Sequence, residues 1–421
     1  MVMAMRPLNS FEEGDLASVA PDAGGLASAN PAGARFEFWP VLGAEDPYVN
    51  AAYLKALQPD GIVIEMRSRP AAQLTRAAAG IRDHATQVAV DPVTYFAQEP
   101  LAARYARYTA LPWGSQPPPA VGTASAQPSR RAMCASILDY VASTAPSADV
   151  VIAPYFVQRS RDPVDWVTES MSCAQTLQDE IVRRREPRTV WAAAAVTEAA
   201  LIANLHSIAA ALRASPTPVL YLLIRTAQAS STPLGDVETL EAMRTLIGQV
   251  ASAGIAVVVG RRYSSGLVLG ALGAAGWSVG ASSLLQNFTY RSHSGGGGSQ
   301  RRDWYYVPTL LNSITLNTRA GLLAGGHLTN DLAPSTPYAQ AILPPGHPPI
   351  TQCPAEGRPD LFRHNTLVMR QQAAALSAGG PAGMHASVRT ATAGAQTRYA
   401  GLPVVTPEEA GGFLDAWAAV L

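Results

Sequence analysis

Short apolar runs alternate along the chain with longer stretches whose apolar side chains recur every three or four positions, and the alternation repeats eight times between residues 36 and 292. The runs cover 36–41, 61–67, 87–92, 149–155, 189–196, 218–225, 255–259 and 277–279. Each is too continuous in apolar character for a strand with one wet face, so each predicts a strand buried on both sides of a parallel sheet. Between them lie helical stripes such as Val167, Met171, Ala174, Leu177 and Ile181, or Val237, Leu240, Met243, Ile247 and Val250 behind the capping residue Asp236. Parallel strands joined by helices form right-handed crossovers. Eight of them in series predict an α/β fold, a closed (β/α)8 TIM barrel.

The pattern breaks after the third strand. From Tyr95 to about Arg130 the chain is rich in aromatics and arginine, then in proline. This segment predicts a long loop across the mouth, with Tyr105, Tyr108 and Trp113 either stacking on a flat ligand or packing as a lid. The chain's 421 residues exceed a minimal barrel of about 250. Its parts are expected to be a flexible N-terminal arm over 1–33, the barrel over 34–292, a Gly/Ser connection over 293–300 and a C-terminal helical extension over 301–421. In the extension, Phe362 to Ser377 has helical spacing, and the capping box Thr406-Pro407-Glu408-Glu409 is expected to open a last helix at Ala410. The segment from Arg301 is expected to lead into a helix.

Composition narrows the function classes. A formal net charge of +0 gives no global field toward nucleic acid or an acidic membrane, although nucleic acid is not excluded. Three widely spaced cysteines without a CxxC pair, and no long apolar run, lead us to expect a soluble cytoplasmic protein that does not span a membrane. Lys55 is the only lysine and falls in a helix, so an imine mechanism at a strand end is not expected.

Strand ends converge on one face of a barrel, so the mouth can be inventoried: Trp39, Glu65, Arg67, Asp91, Tyr155, Arg225, Arg261 and Arg262. Histidine is missing from this set, which argues against a histidine-built metal site, and no metal ligands are assigned. Asp91 and Glu65 are the catalytic candidates, because carboxylates are the only anionic groups there; the alternative is that each caps the following helix. Arg67, Tyr155, Arg225, Arg261 and Arg262 are the ligand-binding candidates. They are joined by the small residues of two strand exits, Ser264, Ser265 and Gly266 after the seventh strand and Gly280 and Ser282 after the eighth. Arginines beside such turns suit a phosphorylated or otherwise anionic small molecule.

The barrel order, the arginine/aromatic segment Arg301-Arg302-Asp303-Trp304-Tyr305-Tyr306 and the late segment from Cys353-Pro354 to His364 resemble the tRNA-guanine-transglycosylase-like barrels. The resemblance implies base exchange by strand-end aspartates and a zinc site of three cysteines and a histidine beyond the barrel. One cysteine and one histidine stand in that segment here, and Asp91 is followed by Pro-Val-Thr-Tyr rather than an Asp-Ser-Gly-Gly-type loop. The leading expectation is a barrel enzyme acting on a phosphate-bearing ligand, a nucleotide or nucleobase derivative, in transglycosylase-like fashion. A non-catalytic barrel serving as a binding or assembly subunit, including a homo-oligomer, and an FMN-dependent oxidoreductase are the alternatives. No cofactor is assigned.

Overall fold

The computed structural model describes residues 35–42, 51–68, 70–99, 106–226, 233–280, 288, 303–328, 336–342, 351–353, 357–403, 405–406 and 409–421. The expected arm over 1–33 and the Gly/Ser connection over 293–300 lie outside them, as do Tyr105 and Ser282.

The barrel strands are β1 (Glu37–Leu42), β2 (Ile62–Glu65), β3 (Val88–Asp91), β4 (Val150–Ile152), β5 (Val157–Gln158), β6 (Thr189–Thr197), β7 (Val219–Arg225), β8 (Ala256–Gly260) and β9 (Gly276–Gly280). All pair in parallel, β9 closes on β1, and β4 closes on β6. The result is a closed eight-stranded parallel barrel with helices between the strands and a helical C-terminal region. The short β5 is the return of the fourth strand. The chain leaves β6 after Ile152 opposite Trp191 and rejoins it at Val157 opposite Ala195. Pro154 lacks the N–H that a continuous ladder would use, and the outward loop puts Tyr155 over the mouth.

Alternation along the strands separates two faces. Trp39 meets Trp191 edge to face at 4.5 Å, and the Tyr221 hydroxyl and Ser278 Oγ lie 2.9 Å apart. Phe38 and Trp277 meet edge to face at 5.2 Å on the other face, beneath the helix Ser265–Ala271. Trp39 is thus a core residue in mid-strand, its indole N–H donating to Glu37, and not a rim residue as the sequence suggested; β1 runs on to Leu42 because Val41 and Leu42 continue the buried ladder.

Gly266 lies directly against Trp277: a Cβ there would fall 2.2 Å from the indole ring. Replacing Gly266 with Ala therefore forces the ring off its seat between β9 and the helix. A loss of about 1–3 kcal/mol, read by urea unfolding, is expected for such overpacking; an unchanged midpoint would show that the contact is not as tight as drawn.

In the C-terminal region, β10 (Trp304–Val307) and β11 (Asn312–Thr315) form an antiparallel hairpin before the helix Leu316–Ala324. The expected lead into a helix is corrected to this hairpin. Its aromatic and β-branched residues favour the pleated surface, and Leu311 takes the left-handed turn conformation at φ 54°. The last helix is Phe413–Val420, not a helix from Ala410. Thr406 does bond Glu409, but the Glu409 carboxylate also accepts the Thr315 N–H at 2.6 Å and the Thr318 hydroxyl at 2.9 Å, tying the segment to the hairpin and delaying the helix. Leu414 and Trp417 from this helix belong to the same buried core as the barrel strands.

Candidate functional site

Glu65 and Asp91 close β2 and β3 and are register partners across that pair. Their side chains are 1% and 0% exposed. One nitrogen of Arg261, Nη2, donates to both carboxylates at 3.3 Å, and Nη1 donates to the Tyr95 hydroxyl at 3.1 Å. The backbone of Arg261 is held from below, its N–H donating to Ser278 Oγ at 3.1 Å. Arg67 donates to Glu65 from Nε at 3.3 Å and Nη2 at 3.0 Å while its guanidinium lies 4.0 Å over the Phe96 ring. Asp91 also accepts the Val93 N–H at 2.8 Å and the Tyr155 hydroxyl at 3.1 Å to each oxygen.

Two backbone outliers flank this cluster. Val93 has φ 50° and Arg261 φ 51°. The left-handed region is unfavourable for a β-branched residue, and strain of this kind persists only where surrounding bonds over-determine it. Here the Val93 N–H held by Asp91 and the Arg261 guanidinium held by two carboxylates supply those bonds.

The electrostatics follow from burial and pairing. Burial pushes the Asp91 pKa above the usual carboxylate range, with Glu65 adding to the rise, while Arg261, the Val93 N–H and Tyr155 pull it back. Burial opposes the Arg261 charge, yet the fields of Tyr95, Glu65, Tyr155 and Asp91 together outweigh it and hold its pKa well above the usual value. The Tyr155 phenol is raised by burial and by Asp91, so it stays a neutral donor.

The turn Thr94–Gln98 covers the cluster and is bolted to the loop around β5. Thr94 Oγ1 accepts the Tyr155 N–H at 2.7 Å and donates to the Tyr155 carbonyl at 2.7 Å; the Gln98 side chain accepts the Val157 N–H at 2.6 Å. Tyr108 and Trp113 are fully buried behind this turn, with the Trp113 indole donating to the Pro92 carbonyl, so they pack as a lid rather than face a ligand.

The remaining candidates are placed around this floor. Arg225 ends β7 and pairs with Glu99 of the loop after β3. Arg262 is 2% exposed at the C-terminal end of β8; burial lowers its pKa to about 10 against the attraction of Glu198. Its Nε and Nη2, and the Ser264 hydroxyl two residues on, are buried without a hydrogen-bond partner among the described residues. Ser265 Oγ accepts the Leu234 N–H at 2.6 Å, Gly266 packs under Trp277, and Gly280 pairs with Val41 at the end of β9. The structure therefore gathers Glu65, Arg67, Asp91, Tyr155 and Arg261 into one cluster, with Arg225, Arg262 and Ser264 apart from it. Sequence reasoning did not single out Tyr95, Glu99 or Ser278. The first two follow Asp91 by four and eight residues, so a strand-end acid followed by a turn was the available signal.

Beyond the barrel, Cys353 and His364 are both buried, and among the described residues no group of three His, Cys, Asp or Glu side chains is placed to hold a metal ion. His364 shares a hydrogen bond of 2.8 Å with Thr336 and stacks on Tyr305; burial lowers its pKa to about 3, so it is neutral. Among the described residues, no helix is long and apolar enough to cross a membrane.

No protein-family model matches the chain, and no curated protein matches it, so the transglycosylase resemblance has no family match behind it. Among solved structures, the catalytic domain of a hyperthermophilic chitinase from Pyrococcus furiosus is similar at 10% identity and a TM-score of 0.34, over 59% of this chain and 85% of that one. An endo-1,4-beta-D-xylanase 10B from Clostridium thermocellum is similar at 10% identity and a TM-score of 0.34, over 61% of this chain and 57% of that one. Likenesses this loose leave the chemistry to be read from the side chains.

Proposed function

We propose that the barrel is an enzyme that cleaves or exchanges a glycosidic bond in a phosphate-bearing, nucleotide-like ligand. The observation that carries this reading is the unequal treatment of two adjacent strand-end carboxylates. Asp91 is fully buried and held toward its protonated form, whereas Glu65 is bonded by two arginines. Two carboxyl groups whose surroundings differ in this way divide into an acid and a charged partner. Asp91 gives its proton to the departing base as the glycosidic bond breaks, and Glu65 faces the positive charge that develops at the sugar carbon. A water adds to that carbon and returns a proton to the Asp91 carboxylate, leaving free base and a sugar phosphate. Tyr155 orients the Asp91 carboxyl, and the turn Thr94–Gln98 must lift to admit the substrate. The unpartnered nitrogens of Arg262, with Ser264, are the groups that hold the phosphate, since Arg261 is engaged by Glu65, Asp91 and Tyr95 and Arg225 pairs with Glu99.

The test is release of free base from nucleoside 5′-monophosphates, followed by liquid chromatography. Release by the native protein is expected, and Arg262→Gln should raise KM roughly tenfold with little change in kcat, as for lost uniform binding. Absence of base release, or an Arg262→Gln variant with native KM, would sink the assignment. A second reading is favoured by the ion pairs already made by Glu65, Asp91 and Arg261 under a bolted turn. In that reading the cluster is a buried plug and the barrel a binding or assembly subunit, which would retain its function after both carboxylates are removed.

A further inference from the structure

A separate cavity of about 730 Å³ opens at the opposite end of the barrel, where the chain enters β1, β2 and β3. Its volume falls in the range of small-molecule sites. The basic residues Arg35, Lys55, His84 and Arg370 line it with a single carboxylate, Asp60. Arg370 comes from the helix Arg358–Ser377 of the C-terminal region, so the cavity lies between that region and the barrel floor. Phe36, Leu54 and Ala374 supply an apolar wall.

The lone carboxylate is already committed. Asp60 accepts the Phe38 N–H at 2.8 Å, pairs with Arg35, and takes a long contact of 3.5 Å from Arg370 Nη2. Arg370 Nε reaches the Gln58 carbonyl only at 3.4 Å. Lys55 is exposed and His84 partly exposed on the cavity wall. Three fixed cations therefore face one anion. Burial and the nearby Arg35 lower the Arg370 pKa to about 10 against the pull of the Glu37 carboxylate, and an added anion would favour the charged form further.

We propose that this cavity binds a small phosphomonoester, its dianionic phosphate held by Arg370, Arg35 and Lys55 and its organic body laid against Phe36 and Leu54. The site is independent of the mouth. A ligand there touches both the barrel floor and the C-terminal helix and so clamps one to the other.

Calorimetric titration of the full chain with phenyl phosphate tests this, with phenol as the neutral control and inorganic phosphate as the control without an organic body. Phenyl phosphate is expected to bind with Kd on the order of 0.1 mM, more tightly than inorganic phosphate, and phenol not to bind. Arg370→Gln and Lys55→Gln should each weaken binding roughly tenfold, the value of one charged contact. Lys55 is exposed, so its variant folds even if Arg370→Gln does not. Arg213→Gln, at an exposed position of the helix Leu205–Arg213 that does not line the cavity, should leave this affinity unchanged. No heat with phenyl phosphate would overturn the proposal and show that the basic groups only complement the helix ends beside them. Equal affinity in the native protein and the Lys55→Gln variant, or loss of binding in Arg213→Gln, would overturn it as well.

Discussion

Replacing Arg261 with Met is expected to cost about 3–5 kcal/mol, because it leaves two buried carboxylates facing each other without the cation they share. In a domain of this size that corresponds to a fall of roughly 10 °C in the melting temperature. Arg67 still serves Glu65, so the deficit concentrates on Asp91. Its pKa is already raised in the fold by burial, and Arg261 is the main group pulling it down. A carboxyl with a raised folded pKa contributes stability that is complete below its unfolded value, near 3.9, and is lost as pH rises through the folded value. Without Arg261 the folded value rises further. The variant's deficit against the native protein should therefore be largest at pH 8 and shrink as pH falls toward 4, since a protonated Asp91 needs no counter-ion. Melts at three pH values would show it. A deficit that is constant, or that grows on acidification, would mean that Arg261 does not neutralise Asp91 in the fold.

How much of this could be read from the chain depended on the range of the interaction. The strands were legible because burial on both faces leaves a local mark, an unbroken apolar run such as Val219–Ile224. The strand-end acids were legible for the same reason, since a charge that ends such a run has to emerge at a rim. The pairing was not. Glu65 and Arg261 lie 196 residues apart, and Asp91 and Arg261 170, so nothing local says that one nitrogen serves both acids. The mouth arginines were read as a set awaiting an anion, whereas Arg225 and Arg261 find carboxylates in the fold, and Arg262 keeps both Nε and Nη2 without an acceptor among the described residues. The hairpin β10–β11 was missed because its eight strand residues are too few for a period to declare itself against the helix that follows. Cys134 and Cys173 lie buried between two helices with thiols raised by burial, Cys134 to about 12.

Asp91→Asn is the substitution that separates catalysis from architecture. If Asp91 gives the proton, kcat for base release should fall by about 10² to 10⁴, the usual value of a positioned acid. The native rate should decline as pH rises past the raised Asp91 pKa, because only the protonated form can donate, and the Asn variant should lack that alkaline limb. Its stability should move the other way. The amide still accepts the Val93 N–H, and it has no charge to be buried, so the loss of stability that the native carboxyl suffers as pH rises is absent. At pH 8 the variant should lose less stability than Arg261→Met, its remaining deficit being the half of the Arg261 countercharge that Asp91 supplied. Glu65→Gln differs, since it leaves Arg67 and Arg261 without half of their countercharge and should lower both rate and melting temperature. Combining Asp91→Asn with Arg261→Met should recover part of the stability that Arg261→Met alone removes, because the buried charge that needed the arginine is gone. An Asp91→Asn protein that keeps its rate within tenfold, or keeps the alkaline limb, would leave the pair as a structural plug, because a brace sets stability and not the pH limb of the rate.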